Sequence, residues 1–72
     1  MKVEVVFAKP EEQVLYDVYV DEGVTAEQVI NQSGILERYP EIDLASNKIG
    51  VFGHAVPLAR VMEPGDRIEI YR

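Results

Sequence analysis

Hydrophobic and polar residues alternate along the ends of this chain and switch to a helical spacing near its middle. In residues 2–9, Val3, Val5 and Phe7 alternate with Lys2, Glu4 and Val6. That period of two is the signature of a half-buried strand. Lys9-Pro10-Glu11-Glu12 interrupts the run with a turn-favouring proline. Residues 13–20 alternate again, with Val14, Tyr16, Val18 and Val20 on one face and Gln13, Leu15, Asp17 and Tyr19 on the other. Two such runs joined by a short polar loop predict a β-hairpin.

Asp21-Glu22-Gly23 ends the second run, and Thr25 opens a helix. Thr25-Ala26-Glu27-Gln28 fits a capping box, in which the Thr hydroxyl accepts the Gln28 amide N–H and the Gln28 side chain reaches back. Val24 and Val29 are placed as a hydrophobic staple around that cap. Ala26, Val29, Ile30 and Ser33 form a narrow inward stripe. Gly34 is the expected stop, since glycine accepts the left-handed conformation that closes a helix. Residues 35–40 predict a helical turn that Pro40 limits.

Residues 41–47 read as a loop with Ile42 and Leu44 turned into the core, and residues 48–52 as a third strand. Gly53-His54 fits a type II′ link, and Ala55-Val56 a short fourth strand cut off by Pro57. Glu63-Pro64-Gly65-Asp66 has Pro and Gly where a type II turn needs them. Residues 67–71 alternate as the last strand. The order is β-β-α-β-β-β, an α+β fold with a mixed four- to five-stranded sheet on one main helix. Right-handed crossover favours the first and last strands as parallel central neighbours, which is the β-grasp arrangement. One helix covers one sheet face only, so the other meets solvent or a partner.

At 72 residues the chain is one domain, 1–72, with a thin core. It has no cysteine, which excludes disulfides, thiolate metal sites and thiol nucleophiles and favours a reducing, cytoplasmic setting. The charged N-terminus shows no signal peptide, and no run reaches a membrane span. Thirteen acids against seven bases give a net charge of −6. Nucleic-acid binding needs a basic cluster that is missing, so the expected partner is another protein, one with a basic face, unless the charge serves only solubility.

The open sheet face is the most informative surface. With Val3, Val5, Tyr16, Val18, Val20, Ile49, Val51, Ile68 and Ile70 turned to the helix, Val6, Leu15, Tyr19, Phe52 and Tyr71 face outward. Contiguous exposed apolar and aromatic groups make a protein-binding patch, whereas scattered ones would be ordinary surface. His54, the one histidine, has no cysteine or second histidine for a metal and fits an exposed hairpin tip. Glu11-Glu12, Asp21-Glu22 and Glu41/Asp43 match no EF-hand loop and read as solvated turns. No catalytic constellation and no cofactor site emerges. Gly50, inside a strand, points to a bulge or a close approach of other atoms.

Four stretches resemble one family: Val3 to Ala8, Gly34 to Leu44, Asn47 to Gly53, and Gly65-Asp66-Arg67-Ile68-Glu69-Ile70-Tyr71-Arg72. With their spacing they resemble the RnfH family of small bacterial proteins along the whole chain. The resemblance implies a ubiquitin-like β-grasp fold related to sulfur carriers, and a bacterial cytoplasmic setting. It also implies an accessory role, either near the Rnf electron-transport complex or as the proposed antitoxin of a START-like toxin that inhibits ribosome function. Relatives continue past Arg72 with Pro-Leu and a polar tail, so truncation is an open reading. A sulfur-carrier role is the alternative, disfavoured because Glu69-Ile70-Tyr71-Arg72 lacks a C-terminal Gly-Gly. The expected state is a monomer or weak dimer without membrane insertion.

Overall fold

The computed structural model describes residues 1–71. Strands β1 (Lys2–Ala8) and β2 (Gln13–Tyr19) pair antiparallel, with Val3 opposite Val18 and Val5 opposite Tyr16. The Lys9 N–H donates to the Glu12 carbonyl at 2.8 Å and closes the hairpin loop. Helix α1 (Ala26–Ser33) and a single turn α2 (Ile35–Arg38) follow, then β3 (Ile49–Val51), β4 (His54–Val56) and β5 (Arg67–Ile70). The sheet order is β2-β1-β5-β3-β4. β1 and β5 run parallel at its centre; β3 pairs antiparallel with both β5 and β4.

The start of α1 is fully satisfied. Thr25 Oγ1 accepts the Gln28 N–H at 3.3 Å, and Gln28 Oε1 accepts the Thr25 N–H at 2.9 Å, the expected capping box. The two preceding helical N–H groups, of Ala26 and Glu27, donate to the carbonyls of Arg60 and Leu58 at 2.8 and 3.0 Å. Val29 returns to the Thr25 carbonyl at 3.0 Å. All four orphan donors of a helix start are thus taken, two of them by the 57–62 loop. The Met62 N–H donates to the Val24 carbonyl at 2.8 Å and fastens that loop to the helix entry. Gly34, at φ 79°, ends α1 as expected.

Ala26, Val29 and Ile30 press onto Val3, Val5, Ile68 and Ile70, all essentially free of solvent. Burying an Ile or Val side chain is worth about 1.5–3 kcal/mol, so this layer outweighs any single surface contact. Ile42 is buried and Leu44 packs partly against the same cluster. The turn after Glu63 is the expected one: Asp66 N–H donates to the Glu63 carbonyl at 3.1 Å, with Gly65 at φ 82°. Asp66 then turns its own Oδ2 onto the Glu63 N–H at 2.8 Å and Arg60 Nη1 at 3.0 Å.

The β3–β4 link differs from the expected one. Val51 pairs with His54, so the two turn residues are Phe52 and Gly53, not Gly53 and His54, and β4 begins at His54. Both have positive φ, 48° and 84°, which is the mark of a type I′ turn. Its twist matches that of the flanking strands, and this preference overrides the phenylalanine's own.

Replacing Thr25 by alanine is expected to lower the unfolding free energy by about 1 kcal/mol without changing the fold. Urea denaturation followed by circular dichroism measures this, with an unchanged native spectrum as the control.

Candidate protein-binding face

Register decides which outward side chains become neighbours. Across the face turned away from α1, Leu15, Val6, Glu69, Gly50 and Ala55 form one row, each opposite the next. The adjacent row runs Asp17, Glu4, Arg67. Tyr19 lies beyond it, opposite Lys2. The five residues expected to form a patch all turn outward, but they do not form one continuous surface.

Leu15, Tyr19, Phe52 and Tyr71 are 48, 76, 59 and 37% exposed, while Val6 is only 4% exposed. Val6 corrects the expectation of a contact residue. It sits on the central strand between Leu15 and Glu69, whose longer side chains stand over it, so it forms a floor. Tyr19 is cut off by the charged row, in which Arg67 Nε donates to Glu4 Oε1 at 2.9 Å. This pair is partly solvated and contributes about 0–1 kcal/mol, so it divides the surface more than it stabilises the fold.

Above the Val6 floor lies a depression of about 340 Å³, lined by Ala8, Gln13, Arg67, Glu69 and Tyr71 among others. Glu69 organises its far wall, a role the sequence reading missed. Its Oε1 accepts the Gly53 N–H at 3.0 Å and the Tyr71 hydroxyl at 2.8 Å. The signal was present, since alternation puts Arg67, Glu69 and Tyr71 on one face of β5. The Tyr71 backbone is held as well: its N–H donates to the Lys48 carbonyl at 2.8 Å, and its carbonyl accepts from Asn47 Nδ2 at 2.9 Å.

Gly50 is explained by this wall. A Cβ there would fall on the Tyr71 hydroxyl and lie 2.9 Å from the His54 carbonyl oxygen. The glycine is the space the tyrosine ring occupies. The hydrogen bond to Glu69 first, then desolvation of the hydroxyl and the Glu69 charge, raise the Tyr71 pKa above the ordinary tyrosine value. His54 is exposed. Among the described residues no group of three or more His, Cys, Asp or Glu side chains could hold a metal ion. No helix among them is long and apolar enough to cross a membrane.

A mixed sheet with parallel central strands, one covering helix and a bare reverse face defines a ubiquitin-like β-grasp protein. SAMP1 from Haloferax volcanii, whose crystal structure is known, shares this fold: it superposes with a TM-score of 0.72 at 14% identity, over 99% of this chain and 93% of that one. The chain belongs to the RnfH family, since the model described as RnfH family Ubiquitin matches residues 1–72. Protein RnfH of Haemophilus influenzae (strain PittEE) is 50% identical over all of this chain and 71% of its own length. Protein RnfH of Cereibacter sphaeroides is 53% identical over all of this chain and 85% of its own. Protein HI0395 of Haemophilus influenzae, crystallised as a 3D domain-swapped dimer, is 50% identical with a TM-score of 0.67, over 100% of this chain and 90% of that one.

Two measurements check the Tyr71 wall. Gly50→Ala is expected to cost about 1–3 kcal/mol of stability, and less in a Tyr71→Ala background, because only the His54 carbonyl then remains in the way. Denaturant midpoints of the four proteins close that cycle. In ultraviolet titration the Tyr71 phenol should ionise above the ordinary tyrosine value, and Glu69→Gln should bring it down. The sign follows: a raised pKa favours the neutral phenol in the fold, so its contribution is complete below the ordinary tyrosine value. It is lost as pH climbs through the raised one.

Proposed function

We propose that this RnfH-family protein is a cytoplasmic, non-enzymatic module that binds another protein through its open sheet face, with Leu15, Phe52 and Tyr71 as contacts around the Val6 floor. The observation that carries this reading is Phe52. A bulky residue at φ 48° sits in the left-handed region at a cost of order 1–2 kcal/mol. Asn or Gly would fill the same turn position without that cost. The phenylalanine nevertheless stands there 59% exposed, so it contributes little burial in return. Strain kept at an exposed aromatic supports a binding role, because aromatics supply much contact area with little side-chain entropy to lose. Tyr19 is a secondary contact on the far side of the Glu4–Arg67 pair.

Within the family two settings suit such a module: an accessory of the Rnf electron-transport complex, and the antitoxin partner of a START-like toxin. Both need a protein-binding surface and neither needs a reactive group. For this chain we propose a monomer or weak dimer in solution. The sulfur-carrier alternative rests on the likeness to carriers of the same fold, and a C-terminal thiocarboxylate found by mass spectrometry on the native protein would favour it.

Affinity purification from the native cell with mass-spectrometric identification tests the reading. Phe52→Asn is expected to raise stability by about 1 kcal/mol while weakening capture of the partner. The pair Tyr19→Ala with Phe52→Ala should weaken capture further with the fold intact. Capture unaltered by both would remove the open face from consideration.

A further inference from the structure

The two edges of the sheet are not alike. β4 is three residues long and is followed by Pro57, which blunts it as a template. β2 is seven residues long and, among the described residues, has a neighbour on one side only. The direction of its free groups follows from the ladder. Val20 N–H donates to the Met1 carbonyl at 2.9 Å, and the Met1 amine donates back to the Val20 carbonyl at 2.7 Å. Lys9 and Glu12 bond in the same register. Bonded pairs recur every second residue in an antiparallel ladder, so Val14, Tyr16 and Val18 spend their amides on β1. The N–H and C=O groups of Gln13, Leu15, Asp17 and Tyr19 therefore point out of the sheet, and all four residues are exposed.

Charge selects the occupant. Glu11 and Glu12 flank one end of this edge, Asp21 and Glu22 the other, and Asp17 stands mid-strand, all exposed. Against these acids stand Lys2 and Lys9, and Lys9 lies 4.0 Å from Glu12. A second copy pairing antiparallel would set the Glu11–Glu12 end of one chain beside the Asp21–Glu22 end of the other, which is repulsive at both ends. An extended segment carrying lysine or arginine meets carboxylates at both ends of the strand and at Asp17 in its middle.

We infer that the β2 edge takes up an extended, basic segment of another protein as a sixth strand, with main-chain bonds to Leu15, Asp17 and Tyr19 supplying the contact and the flanking carboxylates the preference. This inference uses the main chain of β2, where the open-face proposal uses the side chains of Leu15 and Tyr19, and it does not depend on the Phe52–Tyr71 wall.

The test uses the full chain, isotope-labelled, and a synthetic peptide of alternating valine and lysine, read by amide hydrogen exchange and peptide titration. At saturating peptide, exchange at Leu15, Asp17 and Tyr19 should slow by roughly tenfold or more, while the already bonded Val14, Tyr16 and Val18 stay as they were. A valine–glutamate peptide should give no such slowing, and raising the salt should weaken the lysine peptide. Asp17→Pro removes an outward N–H without touching the β1 ladder and should abolish the effect. Asp17→Lys, which keeps the backbone, should lower peptide affinity by roughly tenfold. Phe52→Ala should leave the peptide response unchanged, so this inference and the open-face proposal can fail separately. The inference is overturned by no slowing at millimolar peptide, by slowing at β4 or around Phe52 instead, or by an equal response to the glutamate peptide. Concentration-dependent protection without peptide would overturn it too, since it would assign the edge to a second copy.

Discussion

Val5 and Ile68 lie side by side in the parallel seam between β1 and β5, both fully buried beneath α1. The seam joins the first strand to the last, so every element between them must fit into the path that returns the chain to its first strand. The Glu4 N–H donates to the Asp66 carbonyl at 2.9 Å and the Gly65 N–H to the Lys2 carbonyl at 3.0 Å, so the turn before β5 is itself bonded to β1. The ordering entropy of this long closure is met by one compact layer of Val and Ile shared between seam and helix. Because that layer needs a single helix, the reverse face stays uncovered, and the possibility of a binding surface follows from the way the fold is stabilised.

Much of this was legible from local pattern. The hairpin, the Thr25 cap, the Gly34 stop and the Pro64-Gly65 turn each rest on a few adjacent residues whose chemistry allows one arrangement. The β3–β4 turn was not legible, because a phenylalanine is among the last residues that a left-handed position suggests. The candidate face was half legible. Alternation correctly sent Val6, Leu15, Tyr19 and Tyr71 outward, but exposure depends on what stands beside a residue in the neighbouring strands. Val6 is covered because Leu15 and Glu69 flank it. Tyr19 is isolated because Asp17, Glu4 and Arg67 share one row. Both facts belong to register, which period alone does not fix.

The likeness to SAMP1 at 14% identity fits this division. A layer of β-branched side chains tolerates wholesale exchange if volume and pattern are kept, so the seam can persist while nearly every residue changes. What sits on the bare face is free of that demand and is where proteins of one fold can part in function. Likeness of fold alone therefore speaks to the seam, and the particular side chains on the face follow from this chain's own geometry.

Phe52 and Gly50 make that argument from opposite directions. At Gly50 a side chain is missing from a strand, which ordinarily weakens it, and the space is filled by Tyr71 held through Glu69. At Phe52 a side chain is present where the backbone disfavours one. Neither choice serves the core: Gly50 lies in the row turned away from α1, and Phe52 stands exposed in the turn. Yet the two are coupled: the same Glu69 oxygen that holds the Tyr71 hydroxyl also accepts the Gly53 N–H, one residue from Phe52. One carboxylate thus fixes both aromatic positions relative to each other, which is what a surface needs if it is to meet a partner with little further ordering.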